Sequence, residues 1–385
     1  MKSVGIICEY NPFHNGHLYH LEKVKEICPD HIIVIVLGGN FMQRGETSII
    51  DKWTKTKIAL EMGIDLVIEL PFVFASQGAD IFARGSVELL NHLKVDKLIF
   101  GSELNDINIL KDLADIQLNN QNYDSLVKKY MDKGINYPTA LSKALYEIKG
   151  YEINKPNDIL GISYIREIKR LNSKIEPYCI KRTNNYHSLE LDSKVVSASS
   201  IREALKNKKD VKDYVPKITY QYLKNKHLHF IEDYFPYLKF KILTELNNLD
   251  KYQTVDEGIE NRIKKAIIKA NNLEELIQNI KTKRYTYNKI KRMLTHIMCN
   301  FTKEEAKKYQ HVEYIRVLGF SEKGKKYLNK IKKDLEIPLI TNYSKLNNDM
   351  LQLELRITSV YASILNEKDK TNLIESEYKN KPLIK

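Results

Sequence analysis

The sequence predicts an α/β protein in which a doubly wound, mainly parallel sheet is followed by a mainly helical region. Two observations lead to this prediction. Short apolar runs alternate with amphipathic stretches through the first half of the chain, which is typical of βαβ units. Beyond about residue 205, glycine becomes sparse and lysine-rich amphipathic stretches lengthen. The 385 residues are enough for two or three domains with ordinary buried cores.

Four strands and three helices are predicted in the first half from the spacing of apolar residues. The strands are residues 4–8, 31–37, 66–70 and 97–100, and the helices are residues 18–27, 52–62 and 81–93. Ligands of a doubly wound sheet bind beyond the carboxyl ends of its strands. We therefore expect the loops 9–17, 38–40 and 101–103 to converge on one crevice.

The second half is predicted to be a separate, mainly helical and basic domain. We place the boundary between residues 1–205 and 206–385. Within the second domain, residues 314–320 and 338–341 read as two strands around a helix. We expect this unit to pack beside the helices.

Positive charge is concentrated in the second half. Residues 1–200 hold 24 Lys and Arg against 25 Asp and Glu, a net charge of −1, whereas residues 201–385 hold 38 against 24, a net charge of +14. A local excess of this kind favours a polyanionic partner such as RNA, because neutralising phosphates releases counterions. The alternative is a lysine-rich solvated surface.

The chain lacks the marks of a membrane or secreted protein. Its apolar runs, such as residues 32–37, are much shorter than the roughly 20 residues that span a bilayer, and no apolar signal sequence precedes the first strand. The cysteines at 8, 28, 179 and 299 are scattered, without zinc-site spacing. We expect reduced thiols, no protein-built metal site and a cytoplasmic location.

A histidine pair follows the first predicted strand. His14 and His17 flank Gly16 at the start of the first helix, where free backbone N–H groups and the helix dipole favour an anion. Pro12 stiffens the turn and Gly16 allows a close approach of the backbone. Two imidazoles in this position predict a phosphate site, although a single histidine is more often structural.

The motif and several later segments resemble the tRNA(Met) cytidine acetate ligase family, which lies within the HIGH-motif nucleotidyltransferase superfamily. The resemblance covers most of the chain. It is carried by residues 5–17, 42–46, 51–53, 65–71, 76–80, 100–103, 156–161, 180–182 and 282–286.

This resemblance implies a Rossmann-like nucleotidyltransferase domain and a specific reaction. ATP and acetate would form acetyl-adenylate, and the acetyl group would pass to N4 of the wobble cytidine of elongator tRNA(Met). Magnesium would accompany ATP, and the catalytic residues would be His14 and His17. The implied ATP-binding residues are Ile7, Cys8, Glu9, Tyr10, Asn11, Pro12, Phe13, His14, Asn15, Gly16, His17, Leu18, Tyr19, His20, Gly101, Asn157 and Arg182.

A second candidate phosphate site lies at residues 196–202. It resembles the superfamily's Ser-Ser-x-x-Arg signature, although one residue rather than two separates Ser200 from Arg202. Ser199 or Ser200 could cap a helix and bind the β- or γ-phosphate, while Arg202 supplies charge for the leaving pyrophosphate. The alternative is a plain serine N-cap.

The segment 281–292 is the candidate RNA-binding element. It contains six basic residues, two tyrosines and no acid. Cations could contact phosphates and a tyrosine could stack on an unpaired base, or the segment could be a basic helix with Tyr285 packed inside. The candidates are Lys281, Lys283, Arg284, Tyr285, Lys289 and Arg292.

Acetate needs one cationic partner, for which Arg44 and Lys52 are candidates. Asp51 and Trp53 are better explained as an N-cap and a core aromatic. Two other functions remain open at this point: an adenylyltransferase acting on a small phosphorylated metabolite, and a non-catalytic RNA-binding protein. The sequence leaves the oligomeric state open.

Overall fold

The structure is a computed structural model that describes residues 1–182 and 196–385. Eight strands occur in these residues: β1 (Ser3–Cys8), β2 (Ile32–Gly38), β3 (Leu66–Leu70), β4 (Lys97–Ser102), β5 (Glu176–Lys181), β6 (Ile315–Phe320), β7 (Leu339–Ile340) and β8 (Leu383–Ile384). They form one sheet in the order β5-β4-β1-β2-β3-β6-β7, with β8 beside β6.

The helices before residue 210 connect and cover the strands. They are α1 (Asn15–Ile27), α2 (Lys52–Glu61), α3 (Phe72–Ala75), α4 (Ala79–His92), α5 (Ile107–Asn119), α6 (Tyr123–Asp132), α7 (Tyr137–Lys149), α8 (Pro156–Arg170) and α9 (Ala198–Lys206).

Helices dominate the chain beyond residue 210, as predicted. They are α10 (Lys217–Asn225), α11 (Phe235–Thr244), α12 (Ile259–Lys269), α13 (Leu273–Ile280), α14 (Tyr287–Met298), α15 (Lys303–Lys308), α16 (Glu322–Ile331), α17 (Asp349–Ala362) and α18 (Glu367–Lys379).

The first five strands are parallel, which confirms the predicted doubly wound core. Strand β1 lies between β2 and β4, so the strand order reverses at β1. The loops that follow β1 and β4 therefore open the crevice in which such sheets bind ligands. Strand β5, which was not among the predicted strands, extends the sheet beyond β4.

The predicted position of the strand-helix-strand unit near residue 315 is wrong. Strand β6 pairs antiparallel with β3, and β7 and β8 pair with β6, so the unit extends the first sheet. The first five residues of β6 are buried, and pairing with another strand provides hydrogen-bond partners for their backbone N–H and C=O groups. The sheet thus includes strands from both sides of residue 205, and the two-domain division stays a prediction.

Apolar side chains pack on both faces of the sheet, as its doubly wound form requires. One buried cluster includes Val34 and Phe100, and the other includes Ile6 and Ile35. The four cysteines are free thiols, as expected. Within residues 1–182 and 196–385, no helix combines the length and apolar character needed to cross a membrane.

Candidate active site

A cavity of about 770 Å³ opens at the carboxyl edge of the sheet. Its wall combines the loop after β1, the ends of β4 and β5, the start of α9 and the start of α14. Of the three loops predicted to converge, those after β1 and β4 reach the cavity, which confirms that part of the prediction. Residues 38–40 do not line it, and the loop after β2 reaches the wall through Gln43, Arg44 and Glu46 instead. Ligand pockets in proteins commonly measure ≈ 300–1,000 Å³, so this cavity has the size of a substrate site.

His14 is the N-cap of α1 as well as part of the cavity wall. Its Nδ1 atom accepts a hydrogen bond from the backbone N–H of Gly16 at 3.0 Å, and the His17 Nδ1 atom accepts one from the His14 N–H at 3.3 Å. The two rings lie with their centroids 3.9 Å apart. Since each Nδ1 accepts, each neutral ring carries its proton on Nε2.

Both imidazoles are neutral at physiological pH. Burial lowers the pKa of His14 to about 3, with the positive charges of Arg182 and Arg202 adding to the effect. Burial also lowers the pKa of His17 well below its ordinary value, and a hydrogen bond with the Pro12 backbone offsets only part of this. The neutral His17 ring donates its N–H to the Pro12 carbonyl. The Nε2–H group of His14 can therefore donate to a phosphate without a buried charge on that ring.

Lys55 fixes the loop after β1 against the end of β2. Its ammonium group donates to the carbonyl oxygens of Glu9, Gly38 and Gly39 at 3.0, 2.7 and 2.9 Å. Burial lowers the pKa of Lys55 to about 8. The sequence interpretation missed this residue, because a lysine on an amphipathic helix gives no local sign of being buried.

The end of β4 is fixed by a carboxylate. Asp158 accepts hydrogen bonds from the Ser102 hydroxyl at 2.5 Å and from the Glu103 N–H at 3.0 Å. Gly101 lies against Arg182, whose Cγ atom would be 3.0 Å from a Cβ at this position. Asn157 donates to Glu103 at 2.6 Å, so these residues form one side of the cavity.

The start of α9 differs from the prediction. Ser197, rather than Ser199 or Ser200, is the N-cap, and its hydroxyl accepts from the Ser200 N–H at 3.1 Å. Ser200 is buried and its hydroxyl lies 2.7 Å from that of Ser197. The prediction that Ser199 or Ser200 caps the helix is therefore wrong. Ser199 and Arg202 lie on the cavity wall, whereas Ser200 does not.

Helix α14 reaches the cavity because it packs directly on the loop after β2. A Cβ atom at Gly45 would lie 2.3 Å from the backbone nitrogen of Arg292, and Gly45 has a φ of +70°. Nearby, Lys291 contacts Glu46 at 2.8 Å and the Thr295 hydroxyl donates to the Gly45 carbonyl at 3.1 Å. Glu46 also pairs with Arg202, so one carboxylate joins α9, α14 and the loop.

The candidate RNA-binding residues fall into three positions. Arg284, Lys289 and Arg292 line the cavity, and Lys281 and Lys283 are exposed outside it. The predicted stacking role of Tyr285 is wrong, because the residue is only 3% exposed and its hydroxyl donates to the Asp256 carbonyl at 2.6 Å. The alternative, a tyrosine packed inside, is confirmed.

Lys52 is not available to a carboxylate substrate. Its ammonium group is buried between Glu69 and Glu377, at 2.5 and 2.8 Å, so its candidate role in acetate binding is wrong. Arg44 lies on the cavity wall and stays a candidate. Asp51 caps α2 and Trp53 is buried, as predicted.

Known proteins match this chain in sequence and in structure over nearly all of its length. A sequence model of the family described as HIGH Nucleotidyl Transferase matches residues 1–377. The tRNA(Met) cytidine acetate ligase of Geobacillus sp. (strain WCH70) is 41% identical, covering 100% of both chains, and that of Clostridium acetobutylicum is 41% identical, covering 94% of this chain and 96% of the relative.

The chain belongs to the HIGH nucleotidyltransferase family. A crystal structure of Thermotoga maritima TmcAL bound with alpha-thio ATP is similar with a TM-score of 0.92 and 31% identity, covering 100% of this chain and 99% of that one. The apo form of the same protein gives a TM-score of 0.93 and 30% identity, with the same coverage.

In this HIGH nucleotidyltransferase, the motif letters are His14, Asn15, Gly16 and His17. Of the residues in the run 7–20, the cavity wall includes Ile7, Cys8, Glu9, Tyr10, Asn11, His14, Gly16, His17, Tyr19 and His20, together with Gly101, Asn157 and Arg182. It does not include Pro12, Phe13, Asn15 or Leu18. Phe13 instead packs on Tyr10, and Asn15 donates to the Asp213 carbonyl at 2.9 Å.

An apolar chamber on the α7 and α8 side of the cavity was also missed by the sequence interpretation. This apolar part of the same cavity wall includes Met131 of α6, Leu141 of α7 and Leu160 of α8. Their helical spacing indicates only an amphipathic helix, and no local signal separates a cavity wall from an ordinary core contact.

Proposed function

We propose that the chain is an ATP-dependent ligase that activates acetate as acetyl-adenylate and transfers the acetyl group to N4 of the wobble cytidine of elongator tRNA(Met). The observation that carries the proposal is that one cavity joins the His14 and His17 loop to basic residues of the second half. The relatives support this assignment, since ligases of that name match the chain from end to end.

In the first step, a carboxylate oxygen of acetate attacks the α-phosphate of ATP and pyrophosphate leaves. The His14 Nε2–H group donates to the phosphate oxygens on which charge accumulates, in a wall where its ring is already fixed by the α1 cap. Arg202 and Ser199 lie where they can bind the departing phosphates. Because this N–H donor is already in position before the reaction, it stabilises the transition state without any rearrangement of the protein.

In the second step, the N4 amine of cytidine attacks the acetyl carbon, the bond to AMP breaks, and the amine loses a proton to solvent. Arg284 and Lys289 lie on the cavity wall, beside the exposed Lys281 and Lys283. We propose that these cations hold RNA phosphates next to the inserted base.

Magnesium would arrive bound to ATP. Within the described ranges 1–182 and 196–385, no group of three or more His, Cys, Asp or Glu residues is arranged to hold a metal ion. Mg²⁺ is commonly held through substrate phosphates rather than by an all-protein cage, so this wall fits a metal that is delivered with the nucleotide. The metal would neutralise charge on the leaving phosphates.

The test is to incubate the purified chain with ATP labelled at the α-phosphate, acetate and tRNA(Met), and to identify the products. The proposal predicts AMP, pyrophosphate and N4-acetylcytidine. A parallel incubation adds small phosphorylated metabolites. AMP joined to such a metabolite, without free AMP, would indicate the alternative adenylyltransferase, and RNA binding without ATP consumption would indicate a non-catalytic protein.

His14→Asn is the matching variant, because asparagine is also a good N-cap and can accept from the Gly16 N–H. It should retain the fold and lose turnover. His227→Asn, at an exposed position outside the cavity, should retain turnover. Equal loss in both variants would contradict the assigned role of His14.

A further inference from the structure

The cavity contains a second group of cations on the side that follows β2. We propose that Arg44 and Arg292 form an anion site distinct from the triphosphate site, and that this site binds the carboxylate of the acid substrate. The inference rests on the proposed function and assigns two residues to its acid-binding step. We call this pair the carboxylate arginines.

The loop after β2 and helix α14 fix the position of Arg292. Its guanidinium donates to the Gln43 carbonyl at 3.4 Å, and the Gln43 N–H donates to the Glu9 carboxylate at 2.6 Å. Because Gly45 packs on the α14 backbone, the start of α14 and residues 43–46 form one rigid wall. Arg44 extends from the same loop into the same cavity.

The carboxylate arginines and the cations around the histidine pair act mainly on different groups, although Glu46 pairs with Arg202 and also experiences the charge of Arg44. The guanidinium groups that act on the His14 ring are those of Arg182 and Arg202, whereas the cation that acts on Arg292 is Arg44. Lys289 in turn experiences the charges of Arg292 and Arg284. The wall thus carries cations beside the histidine pair and further cations at the loop after β2 and the start of α14.

Arg292 is held with a like charge nearby. Burial and the charge of Arg44 lower the pKa of Arg292 to about 10, so the group remains a cation at neutral pH. Within residues 1–182 and 196–385, its guanidinium makes no ion pair with a carboxylate. Enclosing a cation without a counter-ion is costly, so an anionic ligand on this part of the wall would be stabilising.

The position of the pair favours the acid over the nucleotide. Gly101 and Arg182, which are candidates for nucleotide contacts, lie at the carboxyl ends of β4 and β5, whereas Arg44 follows β2 on the other side of β1. Attacking and leaving oxygens lie roughly in line across the phosphorus, so the acid must approach from a side that the nucleotide leaves open. A guanidinium also presents paired N–H donors that match a carboxylate.

The outer basic residues suit RNA better than the carboxylate arginines do. Arg284 is about half exposed and pairs with Glu257 at 3.2 Å, so it lies where a long phosphate backbone can reach it. Arg292 is more enclosed than Arg284 and lines the same cavity. This gradient places RNA at the mouth of the cavity and the acid deeper inside.

The test compares Arg292→Gln with Arg170→Gln, an exposed arginine outside the cavity. Acetate-dependent exchange of labelled pyrophosphate into ATP gives KM values for acetate and ATP, and a filter assay gives the tRNA affinity. We expect Arg292→Gln to raise the KM for acetate at least about tenfold, with the KM for ATP and the tRNA affinity within about twofold. Arg170→Gln should change none of them.

A binding readout accompanies the kinetics. In the presence of a non-hydrolysable ATP analogue, acetate should raise the thermal midpoint of the wild type and not that of Arg292→Gln. Arg292→Lys should recover part of the acetate affinity, because it restores the charge without the forked donors. If Arg292→Gln does not fold, Arg292→Lys and Arg44→Gln provide the same comparison.

Three results would overturn the inference. They are an unchanged KM for acetate, a parallel rise in the KM for ATP, and weaker tRNA binding with normal acetate kinetics, which would assign the pair to an RNA phosphate. These results can be interpreted only if the wild type shows acetate-dependent consumption of ATP. If the wild type shows no such reaction, the proposed function itself has failed.

Discussion

Two regions of the molecule enclose several charges, and they differ in whether those charges are balanced. Behind the sheet, Lys52 and Arg316 lie between Glu69 and Glu377, with every side chain at most 5% exposed. The distances are 2.5 and 2.8 Å from Lys52 to the two carboxylates, and 3.0 and 2.6 Å from Arg316. We call these four residues the buried network.

The cavity is different, because its cations exceed its anions. Among the described residues, its wall includes seven basic side chains, Arg44, Lys181, Arg182, Arg202, Arg284, Lys289 and Arg292, against three acidic ones, Glu9, Glu46 and Asp80. A balanced set satisfies itself and stabilises the packing around it. An unbalanced set can be completed by an anionic ligand, which is why we propose the cavity and not the buried network as the substrate site.

The largest expected effect comes from unbalancing the buried network. Arg316→Met leaves two carboxylates with one ammonium group, and we expect a loss of about 3–5 kcal/mol in the free energy of unfolding. Urea denaturation measures it. The double variant with Glu377→Gln should recover much of the loss, and a single variant as stable as the wild type would show that the network is not a unit.

A steric change at the boundary between the loop after β2 and α14 should have the next largest effect. Gly45→Ala places a Cβ against the α14 backbone, with an expected loss of about 1–3 kcal/mol and weaker acetate binding. Gly150→Ala is the matched control, since its φ is +73° but nothing lies within 4 Å. Equal losses would mean that backbone strain alone, and not the contact, explains the result.

Buried histidines should make stability depend on pH. Burial lowers the pKa of His229 to about 3 and that of His296 to about 4. Between pH 6.5 and these values the unfolded chain binds protons that the folded chain excludes, so stability falls as the pH falls. Glu354, whose burial raises its pKa to about 8, opposes this trend, because the folded chain holds its proton above pH 4.5.

Unfolding measured at pH 6 and pH 5 tests this trend for one histidine. Between pH 6 and pH 5, the free energy of unfolding of the wild type should fall by about 1 kcal/mol more than that of His229→Gln. The same slope in both proteins would show that His229 is protonated in the folded state.

The smallest expected effect concerns the cavity itself. Arg292→Gln removes a cation that lacks a carboxylate partner among the described residues, so in the absence of substrates the variant should be as stable as the wild type or more stable by about 0.5–1 kcal/mol. Removing the arginine is thus expected to lower the free energy of unfolding at position 316 and not at position 292. A large loss from Arg292→Gln would remove the distinction between the two regions.

Local patterns allowed much of this structure to be predicted, and contacts distant in sequence explain the rest. Strand β3 has the predicted bounds, and the histidine loop lies at the predicted edge, because both depend on a few consecutive residues. Lys52 was misassigned because Glu377, 325 positions away, is what buries it. The α9 cap was misplaced by two or three residues, since residues 197–200 include three serines that are equally good caps.

The central claim is that the histidine pair activates bound ATP toward acetate. The most direct test is a single-turnover assay with ATP labelled at the α-phosphate, acetate and tRNA(Met), comparing wild type with His14→Asn. The account predicts one AMP for each N4-acetylcytidine in the wild type, and about 10²–10³-fold slower AMP formation in the variant at unchanged thermal stability. Equal rates of AMP formation in the two proteins would contradict it.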